Sequence, residues 1–120
     1  MLTKFGMEVR KKRIDESMKL ADMADGLQVT SAYLSAVENG KKKLTTEFAE
    51  KVITFLGLEN GEKVSMLEAA YASQEEFSIK MKDDDSALLR NAAGAFARKI
   101  ESSNLSEQQA KSILEILEGK

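Results

Sequence analysis

The sequence predicts an all-α chain in which a five-helix head is followed by a short strand and a helical hairpin. Three observations predict it. The 120 residues contain no proline. Apolar residues recur with helical spacing almost throughout. The apolar stretches are bracketed by Ser or Thr before them and by Gly or Asn-Gly after them, the usual start and stop signals of helices.

The first helix is expected over about Thr3–Asp15, with Leu2, Phe5, Val9 and Ile14 facing inward and Arg10, Lys11, Lys12 and Arg13 on the polar side. A short second helix, about Lys19–Asp25, offers Leu20, Met23, Ala24 and Leu27 to a core, and Gly26 is read as its C-terminal stop. The third helix starts behind Thr30 as N-cap, turns Leu34 and Val37 inward with Tyr33 at the edge, and stops at Asn39-Gly40. Thr45 or Thr46 caps a fourth helix through Leu56, burying Phe48, Val52, Ile53 and Leu56, and Gly57 ends it. A fifth helix, about Gly61–Ala72, is expected to bury Val64, Leu67, Ala70 and Tyr71.

The period then changes. In "EFSIKM", Phe77, Ile79 and Met81 alternate with polar residues, which is a strand signal. A lone strand cannot satisfy its own edges, so it calls for its copy in a second subunit; an extended linker packing three apolar side chains on the helical core reads the same pattern. Ser86 caps a sixth helix, about Ala87–Glu101, apolar at Leu88, Leu89, Ala92, Ala93, Phe96, Ala97 and Ile100. "SEQQ", Ser106 to Gln109, is a capping box that opens a seventh, with Ala110, Ile113, Leu114 and Leu117 on one side. A boundary near Gln74–Glu76 divides a head, residues 1–74, from a tail, residues 75–120.

Composition narrows the function. Without Cys there are no disulfides or thiolate metal sites, and without His the usual general base near neutral pH is missing. No constellation for catalysis is evident, and no cofactor is implied. No apolar run is long enough to span a membrane and the first residues do not read as a secretory signal, so a cytoplasmic protein is expected. The net charge of −2 is unevenly spread. Residues 1–58 carry ten Lys/Arg against eight Asp/Glu, and residues 59–120 carry eight against twelve. Positive potential therefore sits in the head, where an acidic polymer would meet it.

The stretch Leu20–Asn39 fits a helix-turn-helix: two short helices with a tight connection, a small residue (Ala24) at their closest approach, and Leu34 and Val37 packing back. With "VRKKRI", "LADMADGLQVTSAYLSAVENGK" and "FAEKVITFLGL", residues 2–58 resemble the Cro/phage-repressor (Xre-like) regulators of bacteria and phages, whose heads have the lambda-repressor-like five-helix fold. The resemblance implies that the third helix enters the major groove of double-stranded DNA and reads bases with Thr30, Ser31, Ala32, Ser35, Ala36 and Asn39. Counting outward from Leu34 and Val37 gives the same face.

Lys41, Lys42 and Lys43 follow that helix and are placed to hold phosphate, with Thr30 and Tyr33 as further hydroxyl contacts. Tyr33 reads equally as an edge core residue. Arg13 and Glu38 look like the family's structural ion pair. Two positions depart from the pattern: Leu20 stands where the family has Gln, and Gln28 stands where its turn has Gly, which calls either for a slightly changed helix–helix angle or for an unusual backbone at Gln28.

The expected function is transcriptional regulation, as a homodimeric repressor on a pseudo-palindromic operator. Phe77, Ile79, Met81, Phe96, Ile113 and Leu117 are the expected dimer interface. An antitoxin whose tail binds a toxin protein, while its head represses its own operon, is the alternative.

Overall fold

The computed structural model describes residues 1–119, which fall into two units, Met1–Phe77 and the chain from Ser78 onward. The first unit holds α1 (Lys4–Asp15), α2 (Leu20–Leu27), α3 (Ser31–Glu38), α4 (Thr46–Leu56) and α5 (Asn60–Ser73). The second holds α6 (Ala87–Glu101) and α7 (Glu107–Leu117).

Helix starts follow the hydroxyl caps. Thr3, Thr30, Thr45, Ser86 and Ser106 each accept a hydrogen bond from a backbone N–H of the first turn they precede, an interaction worth about 1 kcal/mol per cap. Gly57, at φ 65°, ends α4 in the left-handed conformation. Gly26 does not end α2. It lies inside the helix, where a Cβ would stand 2.0 Å from the Phe55 ring, so it serves the approach of α4. The left-handed cap is Gln28, at φ 61° and ψ 41°, in the conformation its place in the turn demanded.

The head's core joins Phe5 and Val9 of α1, Met23, Ala24 and Leu27 of α2, Leu34 and Val37 of α3, Phe48, Ala49, Val52 and Ile53 of α4, and Met66 and Ala70 of α5. Leu44 and Leu58 close it from the loops. α1 packs on α3 and α5, and α4 packs on α2 and α5. Three expected core residues lie outside: Ile14, Val64 and Tyr71 are exposed, and Leu56 and Leu67 are only half-buried. In α1 the inward place next to Ile14 belongs to Arg13, and in α5 the helix turns Met66 and Ala70 inward, which swings Val64 and Tyr71 towards solvent.

The strand expected at "EFSIKM" does not form; the described residues contain only helices and irregular chain. Six residues with no neighbouring strand leave every ladder group unpaired, and a single extended segment then gains nothing from the alternation. The segment remains irregular. Phe77 sets its ring edge against Tyr71, centroids 6.0 Å apart, while Ile79 is exposed and Met81 half-buried.

In the second unit, Ser106 and Gln109 form the expected capping box. Arg90 donates to the carbonyls of Lys82 and Asp85, which fixes the entry to α6. No described residue from Ser78 onward is buried. α6 and α7 scarcely touch each other, so the hairpin stands open rather than closed on its apolar faces.

Candidate nucleic-acid interface

α3 is held from behind by α1. Arg13 and Glu38 are both buried and pair through two bonds, Nη1 to Oε2 at 2.6 Å and Nη2 to Oε1 at 3.2 Å. The planar guanidinium matches a carboxylate in this forked geometry. Arg13 Nη1 also lies 3.6 Å from Met23 Sδ, so one guanidinium spans α1, α2 and α3.

The carbonyl of Glu38 is held too. It accepts from Thr3 N–H at 3.0 Å and from Thr3 Oγ1 at 3.2 Å. Gly6 permits this approach, because a Cβ there would stand 2.1 Å from the Glu38 carbonyl oxygen. Thr3 and Gly6 were not singled out in the sequence. Their signal was available: a helix-interior glycine costs about 1 kcal/mol against alanine, so it often marks a close backbone approach. Ser73 extends the clamp to α5: its hydroxyl accepts from Phe5 N–H at 3.1 Å and donates to the Ala69 carbonyl at 2.8 Å.

The α2–α3 connection is equally tied. Gln28 N–H bonds the Asp25 carbonyl at 3.0 Å and Val29 N–H bonds the Ala24 carbonyl at 2.9 Å. Lys51 of α4 donates to the Leu27 carbonyl at 2.8 Å. Leu20 lies half-buried against the core, an apolar side chain where the family's Gln would offer an amide.

With its inner face locked by Leu34, Val37 and Glu38, α3 turns the expected reading residues away from the core. Thr30 and Ala32 are exposed; Ser31, Ser35, Ala36 and Asn39 are half-buried, and none is buried. The face is low, so a groove wall can approach the backbone closely. Thr30 Oγ1 accepts from Tyr33 N–H at 3.0 Å as the N-cap, which leaves its proton to donate. Asn39 is different. Its amide donates to the Ser35 carbonyl at 2.9 Å, so it caps α3 and does not stand clear of it. Tyr33 is half-buried, with its ring edge-on to Phe48 at 5.6 Å between centroids, which is the edge-core role.

The lysine loop begins by closing α3: the Lys41 and Lys42 N–H groups both bond the Ala36 carbonyl, at 2.8 and 3.1 Å. All three lysine side chains are exposed. They are not equivalent. Lys43 Nζ donates to Glu76 Oε1 at 2.7 Å. That hydrogen bond, with the nearby charges of Glu76 and Glu75, raises the Lys43 pKa above its ordinary 10.5, and Lys43 in turn lowers that of Glu76 below 4.5. Lys41 and Lys42 form no ion pair among the described residues. On α1, Lys12 is bound to Glu62 of α5, which likewise raises its pKa, and Lys11 pairs with Glu8 at 3.6 Å. Those α1 lysines brace the fold and its surface.

A helix-turn-helix family model matches residues 9–63. That model describes the Cro/phage-repressor type of helix-turn-helix, and the match is of the head's residues alone. No curated protein and no solved structure matches the chain. The matched span runs from α1 into the start of α5 and includes both helices of the motif, the Arg13–Glu38 pair and the lysine loop, while Thr3, Gly6 and Ser73 lie outside it. It leaves α6 and α7 outside. This helix-turn-helix head is the DNA-binding unit of a transcriptional regulator. No helix among the described residues is long and apolar enough to cross a membrane.

Proposed function

We propose that the protein is a transcriptional repressor that binds a pseudo-palindromic operator as a homodimer, one α3 in each of two successive major grooves. The observation that supports this reading best is the division of α3. Its inner face is fixed by the Arg13–Glu38 pair and the Thr3 clamp. Its outer face is small, uncharged and free of the core, with Lys41 and Lys42 at its exit forming no ion pair among the described residues. One short helix supplies little affinity, so two half-sites about one helical turn apart, roughly 34 Å, are the economical solution.

The chemistry of the face sets the mode of reading. Serine and threonine hydroxyls bond several base edges alike, and alanine offers only a contact to a thymine methyl. The face has no Arg or Gln for a bidentate base contact, and the Asn39 amide already donates to the Ser35 carbonyl. Selectivity then leans on half-site spacing, on bridging water and on DNA shape. Lys41 and Lys42 supply phosphate contacts, with steep salt dependence and little sequence information.

Selection of bound sequences from a random DNA pool tests the reading. Two inverted half-sites with centres about 10 base pairs apart are expected. Absence of binding at 50 mM salt as well as at 200 mM overturns DNA recognition itself, and a single asymmetric site overturns the dimer. The uncovered apolar side chains of the tail also suit an antitoxin; a protein monomeric by sedimentation that holds a toxin polypeptide in a fixed ratio on α6 and α7 would replace the homodimer.

A further inference from the structure

We propose that two copies of this chain dimerise by exchange, α6 of each protomer packing on α7 of its partner, so that neither hairpin closes on itself. The inference rests on the homodimer reading above and specifies its geometry.

The tail is too bare to stand alone: no described residue from Ser78 onward is buried, so α6 and α7 have no core of their own. It has no cysteine, and no cluster of metal-ligating side chains exists among the described residues. Both helices nevertheless carry heptad-spaced seams. Leu89, Ala93, Phe96 and Ile100 follow one another at intervals of four, three and four along α6, and Ala110, Ile113 or Leu114, and Leu117 do so along α7. Such seams bind by inserting knobs into a facing helix. Here the faces stay open: Leu89 is 50% exposed, Ile100 51%, Leu114 55% and Leu117 74%, while α6 and α7 scarcely touch within the chain.

Charge identifies the occupant. α6 carries Arg90, Arg98 and Lys99 against Glu101, a net +2. α7 carries Glu107 and Glu115 against Lys111, a net −1, and Glu118 at its C-cap adds another negative charge. Pairing α6 with a second α6, or α7 with a second α7, sets like charges together. Pairing α6 with the partner's α7 sets opposite charges together, and a two-fold axis repeats the same contact with the roles reversed. The second copy therefore offers each helix the complementary seam and charge that its own neighbour carries but does not pack against it within the chain.

Thiol cross-linking tests it on the full-length chain, in which any introduced cysteine is the sole thiol. Ala93→Cys and Ile113→Cys each sit on a seam and are half-buried. The two variants are mixed, left to exchange subunits, and treated with a short bis-maleimide; circular dichroism confirms that each remains helical. A covalent dimer holding one chain of each variant is expected, at least five-fold above the same-variant dimers. A variant carrying both cysteines in one chain is expected to give two-chain products on a denaturing gel. If it instead closes an internal loop and yields monomer, exchange is overturned although a dimer in sedimentation would leave the homodimer reading intact. Same-variant dimers in excess overturn it in the same way. A monomer at tens of micromolar in sedimentation overturns both readings, and a tail saturated by another protein would show itself there.

Discussion

Lys43, the last residue of the lysine loop, is bound at 2.7 Å by Glu76, which lies three residues beyond the end of α5. The carboxylate occupies one of the three cations that a DNA backbone would use. It does so at the surface, with both side chains about three-quarters exposed, so the pair contributes little to stability. Its effect falls on binding: Lys43 must leave Glu76 before it can hold a phosphate.

Glu76→Gln is therefore expected to tighten DNA binding several-fold at 0.1 M salt. The plot of log affinity against log salt should steepen by about 0.9 for each protomer's additional phosphate contact. Lys43→Ala should cost less affinity than Lys41→Ala or Lys42→Ala. Fluorescence anisotropy at four salt concentrations measures both; equal losses at the three lysines would show that Glu76 does not compete.

The clamp on Glu38 yields a stability prediction. Arg13→Ala leaves a buried carboxylate without its cation and should cost about 3–5 kcal/mol in urea unfolding. Gly6→Ala drives a Cβ into the Glu38 backbone carbonyl, which cannot step aside, and should cost at least about 1–3 kcal/mol. Gly26→Ala meets the side-chain ring of half-buried Phe55 instead, which can rotate, and should cost less than Gly6→Ala. Reversal of that order would place the critical approach at α2–α4 rather than α1–α3.

Much of this was legible in the sequence because helix caps are local. Thr30, Thr45, Ser86 and the Ser106–Gln109 box each declare a helix start within four residues, and all are used. The left-handed Gln28 was one of two readings that the family's glycine at that turn suggested, whereas the local cap signal pointed to Gly26. What depends on distant partners was not. Gly26 looks like a stop until Phe55, far along the chain, is seen to need its missing Cβ. Asn39 is a local exception: counting puts it on the outward face, and its amide also donates to the Ser35 carbonyl one turn back. "EFSIKM" has strand periodicity, but periodicity forms a strand only where a neighbour supplies hydrogen bonds. Val64 and Tyr71 were assigned to a core that the rotation of α5 gave to Met66 beside the expected Ala70. The Lys43–Glu76 bond joins residues 33 apart and carries no local signal.

Titration should be uneventful near neutral pH. The chain has no His or Cys. Lys12 and Lys43 have pKa values raised above 10.5, so their pairing is complete below that value and is lost only as pH rises through the raised pKa. Glu76 has a pKa lowered below 4.5, so its pairing is complete above that value and is lost only as pH falls through the lowered pKa. Both limits lie outside about pH 5.5–9. DNA affinity at fixed ionic strength should change less than two-fold across that interval, and tightening from protonation of Glu76 is expected only at pH values below it. A sigmoidal change centred between pH 6 and 8 would mean that a group outside these pairs governs binding.

The division between base reading and phosphate holding can be separated by two substitutions that leave the core untouched. Ala32 is exposed on the second residue of α3, and Lys42 is exposed in the loop beyond it. Ala32→Arg adds a guanidinium able to bond guanine O6 and N7 together, which discriminates against the wrong base by about 1–3 kcal/mol. Selection from a random pool should then show guanine enriched at one position in each half-site, the two positions related by the operator's symmetry. Lys42→Ala should instead lower affinity for every selected sequence by a similar factor and reduce the salt slope by about 0.9 for each protomer's lost contact. An Ala32→Arg variant whose preferred sequence is unchanged, while its affinity for all DNA rises uniformly, would show that residue 32 faces the backbone. α3 would then have to be turned about its axis relative to the major groove, with Ser35 and Ala36 carried away from the bases.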